Sequence, residues 1–461
     1  VRRKSFFIGS IVAVVAGCGL SQSSSETGRE PDDGGLSVAQ SAEGGVGEKD
    51  SSSGSTGSAG AGGVDAGGNP SDSGGTTEDG GSGNGSGNSA DAAPPVNLDS
   101  GTTFVVAQPV SGTPIPTSVP LQGPGLVLMG GGTDVDAAFV WIHDTLAGSS
   151  TKTLGNVIVF NTQSAPPSVD NAYTSYIFGL APFQSVQTLY LGGYKNDGNS
   201  ATPATAADVA IAAYYVSRAD AVFFAGGDQA DYVYWNKTSP ALMAALTSLY
   251  NRGGVIGGTS AGCSILGPYV FDDLAADDQG ADPATADVIE NPYESSISFT
   301  RNMLAFTSLP HVFTDPHFVT RDRFGRLAGF LARQYADDAA PQGAVGVGVD
   351  ESNALLVDKN GLAHLVQQAS GTEAATGTGA YIIQPAGPAT TCASGKALLY
   401  SSVKVTRLSK PQTPSAAGDS FDFSKGCGSG VQFTVTVNGG DSSNPYSVSP
   451  YQATGTATAC P

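Results

Sequence analysis

The sequence predicts an α/β fold with a mostly parallel sheet, and three observations carry that expectation. Short apolar, β-rich runs recur between residues 125 and 256, each bounded by Gly, Asn or Asp. Segments whose apolar residues follow helical spacing separate them. The runs are apolar at nearly every position, the pattern of strands buried on both faces and joined by crossover helices.

In chain order, residues 125–129 (GLVLM) form the first strand and residues 135–146 the first helix. Residues 157–160 (VIVF) precede helical spacing over 168–180, and residues 186–191 (VQTLYL) precede helical spacing over 206–218. Residues 221–225 (AVFFA) lead to a helix over 240–250, and Val255-Ile256 leads into the turn at Ser260. Beyond that turn, apolar alternation returns at 344–349, 354–357, 381–383, 397–405 and 431–437. This predicts a β-rich second half that completes or flanks the sheet. No fixed-period repeat is visible.

The ends of the chain read differently. Arg2, Arg3 and Lys4 precede an apolar run over residues 6–16, and Val15-Ala16-Gly17-Cys18 closes it. Charge, apolar run and cysteine in that order predict a lipoprotein signal over 1–18, with Cys18 as the lipidated residue. Gly19 in place of an aspartate favours an outer-membrane or cell-surface address for an exported lipoprotein. Residues 19–100 are rich in Ser, Gly, Asp, Glu and Ala, and such a segment buries too little apolar surface to offset its ordering entropy. It reads as an acidic, disordered tether that carries much of the net charge of −20. No basic stripe exists, which argues against nucleic acid as a partner. The folded body is expected over 101–437, followed by a peripheral Ser/Gly/Asn-rich tail over 438–461. Of the remaining cysteines, Cys263 reads as a buried thiol. Cys392, Cys427 and Cys460 can form one disulfide among them in an exported chain, and the sequence does not choose the pair.

The chemistry concentrates around "GGTSAG". Gly258-Thr259-Ser260-Ala261-Gly262 fits G-x-S-x-G between a strand and a helix, where a nucleophilic serine projects from a sharp turn and flanking glycines allow close packing. The amide of Ala261 then faces a developing oxyanion. A serine nucleophile needs a base, and the chain holds only four histidines. His143 falls in an amphipathic helix and His364 in a short strand. His317 stands in "TDPHFVTRDRFGRLAGFLAR" with Asp315, Arg321, Arg323 and Arg326, ahead of an apolar helix. His311 is close by and remains an alternative. "GVGVDESNALLV" offers Asp350 or Glu351 as the carboxylate that fixes the imidazole tautomer. The four histidines lack metal-ligand spacing, so neither metal nor cofactor is expected.

Together, "GGTSAG", "FFAGGDQ", "DPHFVTRDRFGRL" and "GVGVDES", in this order, resemble the cyanophycinase branch of the serine peptidase family that also contains aspartyl dipeptidase. The resemblance covers about residues 103–437. It implies a class I glutamine-amidotransferase-like, flavodoxin-related sandwich. It implies Ser260 as nucleophile, His317 as base then acid, Glu351 as orienting carboxylate, and the amides of Ala261 and Gly227 as the oxyanion hole. Gln229, Asp315, Arg321, Arg323 and Arg326 correspond to the family's substrate-binding set, the guanidiniums suited to carboxylates and Asp315 and Gln229 to a cationic or amide group. The implied reaction is release of β-Asp-Arg dipeptides from cyanophycin, a polymer with an aspartate backbone and arginine on each side-chain carboxylate. A homodimer is implied by the family alone. Three departures stand out: Pro316 replaces a glutamine, Cys263 replaces a small residue, and an acidic insertion lengthens the chain near 272–288. Two rivals remain, a peptidase for other aspartyl peptides and a surface-binding lipoprotein without catalysis. A cysteine-dependent amidotransferase fits less well, because Cys263 lies past the turn.

Overall fold

The computed structural model describes residues 105–107, 110–162, 172–193, 203–275, 282–338, 344–368, 379–457 and 460, all within the unit Asp33–Pro461. The signal segment, Cys18 and the tether lie outside the described residues, as does the start of the helix expected from residue 168. Among the described residues, no helix is long and apolar enough to cross a membrane.

Five parallel strands form the centre of the larger sheet, in the order Ser185–Leu191, Asn156–Asn161, Ala221–Phe224, Val255–Thr259 and Gly125–Met129. Every residue of the Gly125–Met129, Asn156–Asn161 and Val255–Thr259 strands is buried, as their composition requires. Alternation assigns the side chains to two cores. Val127, Met129, Val157, Val159 and Phe223 pack with the helices Asp136–Ala147 and Ala172–Leu180. Leu126, Leu128, Phe160 and Phe224 face a second core shared with the helices Ala206–Arg218, Gln229–Thr238 and Pro240–Asn251. The Ala206–Arg218 helix starts on a capping box, Thr205 with Asp208, and the Pro240–Asn251 helix starts with Pro240 after the Ser239 cap.

The smaller sheet contributes Val312, Val347, Val349 and Ile382 to that second core, while its other face packs Phe313, Tyr381 and Ile383 against the helix Phe324–Asp338. Its parallel part consists of Tyr269–Phe271, Val312–Asp315 and Val345–Val349. The expectation of a mostly parallel sheet therefore holds for the centre and not for the whole. Antiparallel pairs flank both sheets, for example Gly125–Met129 with Asn353–Asp358 and Ala380–Pro385 with Leu399–Leu408. The connection from Asn353–Asp358 to Leu362–Gln367 is a tight hairpin, too short for the crossover that a parallel pair needs.

The expected strands and helices otherwise keep their places, but the strands Tyr269–Phe271, Phe299–Arg301 and Val312–Asp315 and the helices Thr285–Glu290 and Gln229–Thr238 have no counterpart among the expected elements. The Gln229–Thr238 helix is aromatic and polar without a clear apolar stripe. It is held instead by its Asp228 cap and by Trp235, whose indole N–H donates to the Gly192 carbonyl at 2.8 Å.

The tail from 438 onward is more than peripheral. Tyr451 stands edge-on to Phe318, Phe324 and Tyr381, accepts from the Phe324 amide at 2.9 Å and donates to Asp322 at 2.8 Å. Thr456–Ala457 adds a strand to Val431–Asn438. Cys427 pairs with Cys460, leaving Cys263 and Cys392 as free thiols. A chain ending at residue 438 loses these ring contacts and the disulfide, and its melting temperature should fall by more than about 5 °C. An unchanged calorimetric transition contradicts this.

Candidate active site

The catalytic candidates gather where three parallel strands end. Ser260 follows Val255–Thr259 of the larger sheet; His317 follows Val312–Asp315 and Glu351 follows Val345–Val349 of the smaller. Crevices beyond the carboxyl ends of parallel strands are where open α/β sheets place ligands.

Ser260 has φ +50° and ψ −124°, a conformation that L residues adopt at an energetic penalty. Two glycines make room for the turn. A Cβ on Gly258 would stand 2.3 Å from the Gly262 carbonyl, and one on Gly262 would stand 2.2 Å from the Phe224 carbonyl. The strand and the short helix after Ser260 therefore cross at backbone contact. Cys263 is fully buried just beyond, and burial pushes its thiol pKa up, the opposite of what an activated thiol nucleophile needs.

His317 Nε2 lies 2.7 Å from Ser260 Oγ, and its Nδ1 lies 2.6 Å from Glu351 Oε1. An ionised carboxylate only accepts, so Nδ1 carries the proton and Nε2 is left to accept from the serine hydroxyl. Asp350, the other acid that the sequence offered, turns away and accepts from the amides of Val319 and Thr320 at 2.9 Å each. The remaining histidines are elsewhere in the fold. His143 is buried between Asp144 and the Lys152 carbonyl, His364 lies in the Leu362–Gln367 strand, and His311 is exposed at the start of Val312–Asp315.

Burial holds the His317 pKa below the ordinary value near 6.5, and the charges of Arg321 and Arg323 lower it further, while the Glu351 hydrogen bond and charge oppose them. The His317 hydrogen bond in turn lowers the Glu351 pKa. At neutral pH the pair is thus carboxylate and neutral imidazole, the form in which the imidazole accepts a proton.

A glycine loop that the sequence reading passed over completes the seat. Gly130 accepts from the His317 amide at 2.8 Å, and Gly131 accepts from the Ser352 amide at 2.9 Å. Gly131 has φ +93°, and a Cβ there would stand 2.3 Å from His317 Cε1. The run Gly130-Gly131-Gly132 directly after GLVLM was the available signal.

The expected substrate set is only partly open. Gly227, with φ +142°, and Gln229 stand after the Ala221–Phe224 strand, whose Phe224 pairs with Gly258, so this turn borders the Ser260 turn. Asp315 does not present a carboxylate for a cationic group. It is 2% exposed and receives Arg326 Nε and Nη2 at 3.1 and 2.5 Å, with Arg323 Nη1 at 3.4 Å. Arg323 and Arg326 are buried as well, Arg326 lying against the mutually stacked rings of Phe271 and Phe330. Buried charges in a protein need partners, and these guanidiniums have them within the chain. Arg321 is more exposed and lies 3.8 Å from Asp282, a residue of the acidic insertion.

No protein-family model matches the sequence. Among curated proteins, a cyanophycinase of Synechococcus elongatus and one of Thermosynechococcus vestitus are each 26% identical over 157 residues, 34% of this chain and 42% of theirs. A cyanophycinase of Geminocystis herdmanii is 27% identical over 147 residues, 32% of this chain and 46% of its own. The chain thus resembles cyanophycinases, and the match spans less than half the length of these relatives. Among solved structures, a peptidase from an acI-B1 actinobacterium shares 17% identity at a TM-score of 0.32, covering 54% of this chain and 90% of that one. A Listeria monocytogenes protein described as a peptidase E shares 13% identity at a TM-score of 0.33, covering 54% of this chain and 100% of that one.

Two outcomes follow from the geometry. Proton titration of the His317 ring, followed by NMR, should give a pKa below 6.5. Glu351→Gln removes the negative charge that helps to raise it, so the pKa should fall further; a rise contradicts the assignment. Gly131→Ala drives a methyl into the imidazole and should reduce any Ser260-dependent turnover by about 10²-fold or more. Full turnover in that variant contradicts the seat described.

Proposed function

We propose that the protein is a serine-type exopeptidase of cyanophycinase type that cleaves the aspartate backbone of cyanophycin to β-Asp-Arg dipeptides. The observation that carries this reading is the hydrogen-bonded chain Ser260–His317–Glu351, with contacts of 2.7 and 2.6 Å, on a strained serine turn. The resemblance to cyanophycinases supports the same chemistry. The parallel centre and the strand-end location of the site support a class I glutamine-amidotransferase-like architecture.

In this reading Ser260 Oγ attacks the aspartyl carbonyl carbon while His317 Nε2 takes its proton. The amides of Ala261 and Gly227 stabilise the tetrahedral oxyanion. His317 then gives that proton to the leaving amine, the C–N bond breaks, and an ester joins the acyl group to Ser260. Water, deprotonated by His317, attacks the ester, and the serine hydroxyl is restored as the acid leaves. The order Ser, His, Glu along the chain separates this arrangement from α/β-hydrolases, whose acid precedes the histidine. Export, lipidation at Cys18 and tethering through residues 19–100 are part of the proposal and suit an enzyme for an extracellular polymer.

A second reading, cleavage of other aspartyl peptides, draws support from the paired state of Arg323 and Arg326 and from Pro316. Incubation with purified cyanophycin and chromatography of the products separates the two. β-Asp-Arg should accumulate, and Ser260→Ala should slow its release by about 10³-fold or more. Undiminished release by Ser260→Ala excludes the mechanism, and cleavage of short aspartyl peptides alone favours the second reading.

A further inference from the structure

The two buried guanidiniums at the front of the Phe324–Asp338 helix each face two different carboxylates. Inside is Asp315, 2% exposed at the end of its strand, which holds Arg326 through Nε and Nη2 and Arg323 through Nη1. Outside is Asp282, which bonds Arg323 Nη2, lies 3.2 Å from Arg326 Nη1 and lies 3.8 Å from Arg321 Nη1. The Asp282 side chain is 34% exposed, whereas those of Arg323 and Arg326 are 6% and 3% exposed. Asp315 is therefore the fixed counter-ion of the pair, and Asp282 is a solvent-facing carboxylate laid over its outward N–H groups. The three arginines hold Asp282 well below the usual carboxylate range, so it is ionised throughout the working pH range.

We propose that Asp282 is a specificity-determining residue, an internal carboxylate that fills the outward fork of Arg321, Arg323 and Arg326. A carboxylate on a substrate reaches that fork only by displacing it. Without Asp282, the outward N–H groups of Arg323 and Arg326, whose other carboxylate partner is Asp315, form a ready anion site with Arg321 beside them. A tethered carboxylate competes at an effective concentration of about millimolar, enough to exclude weakly held anions. The native site thus discriminates against peptides with a free side-chain carboxylate here and admits those whose carboxylate is blocked as an amide. The Arg321 amide donates to the His317 carbonyl at 3.0 Å and Arg323 Nη1 donates to the Pro316 carbonyl at 3.0 Å, which ties the fork to the segment that carries the catalytic candidate. That the fork belongs to a substrate cleft rests on the peptidase reading; the pairing of Asp282 with the arginines does not.

Isothermal titration calorimetry on the full chain tests this with N-acetyl-L-aspartate, and with N-acetyl-L-asparagine as the uncharged control. Asp282→Asn should bind N-acetyl-L-aspartate at least about tenfold more tightly than the unsubstituted protein, with no comparable gain for the asparagine compound. The gain should shrink at high salt. A folded variant with unchanged or weaker affinity for the acid, or an equal gain for both compounds, overturns the proposal and leaves Asp282 as a structural clasp. Thermal melts establish folding, and Asp282→Ser takes the place of Asp282→Asn if the latter does not fold. Polymer hydrolysis on the same preparations keeps the two readings apart. Tighter acid binding without Ser260-dependent hydrolysis of either the polymer or short aspartyl peptides retires the peptidase and keeps the filled fork, whereas hydrolysis without tighter binding retires the fork alone.

Discussion

The hydrogen bond between Ser260 and His317 joins the two sheets of the molecule, and the site depends on its being held. Ser260 ends a strand of the larger sheet and His317 follows a strand of the smaller, so the 2.7 Å contact records their relative position. Glu351 fixes the far side of the imidazole, Gly131 lies against its face, and the Gly130 carbonyl takes its backbone amide. A ring fixed on so many sides needs little reorganisation to pass a proton, which is how an enclosed site gains over water.

Backbone strain accompanies that placement. Ser260, His317 and Ser352 all have positive φ, at +50°, +49° and +58°. Each such conformation costs about 1–3 kcal/mol. The buried cores on either side of the parallel strands over-determine these turns and keep them in place. Strain and close packing at the serine turn are two aspects of one requirement, exposure of a hydroxyl between a strand and a helix that touch.

Much of this was legible in the sequence because it is local. The apolar strands, most helices and the Ser260 turn are written in contiguous residues, and the scarcity of histidine narrowed the base to His317 or His311. The residues alone left Asp350 and Glu351 equal and only the resemblance implied Glu351; in three dimensions they part because neighbouring residues at a strand end point in different directions. Antiparallel flanks were missed because apolar alternation carries no direction. The glycine loop over 130–132 was missed because glycine is abundant in the chain. The arginines were legible as charges but not as pairs. Asp282 stands in an acidic, low-complexity stretch and 41 residues from Arg323, with nothing local to mark their meeting. The Cys427–Cys460 pair was likewise undetermined until the tail was seen to return across the fold.

The most direct measurement is reaction with a fluorophosphonate followed by peptide mapping. A hydroxyl activated by His317 should give a single adduct at Ser260, and His317→Ala should abolish it while the protein remains folded. An adduct at another residue, none at all, or undiminished labelling without the imidazole contradicts the account.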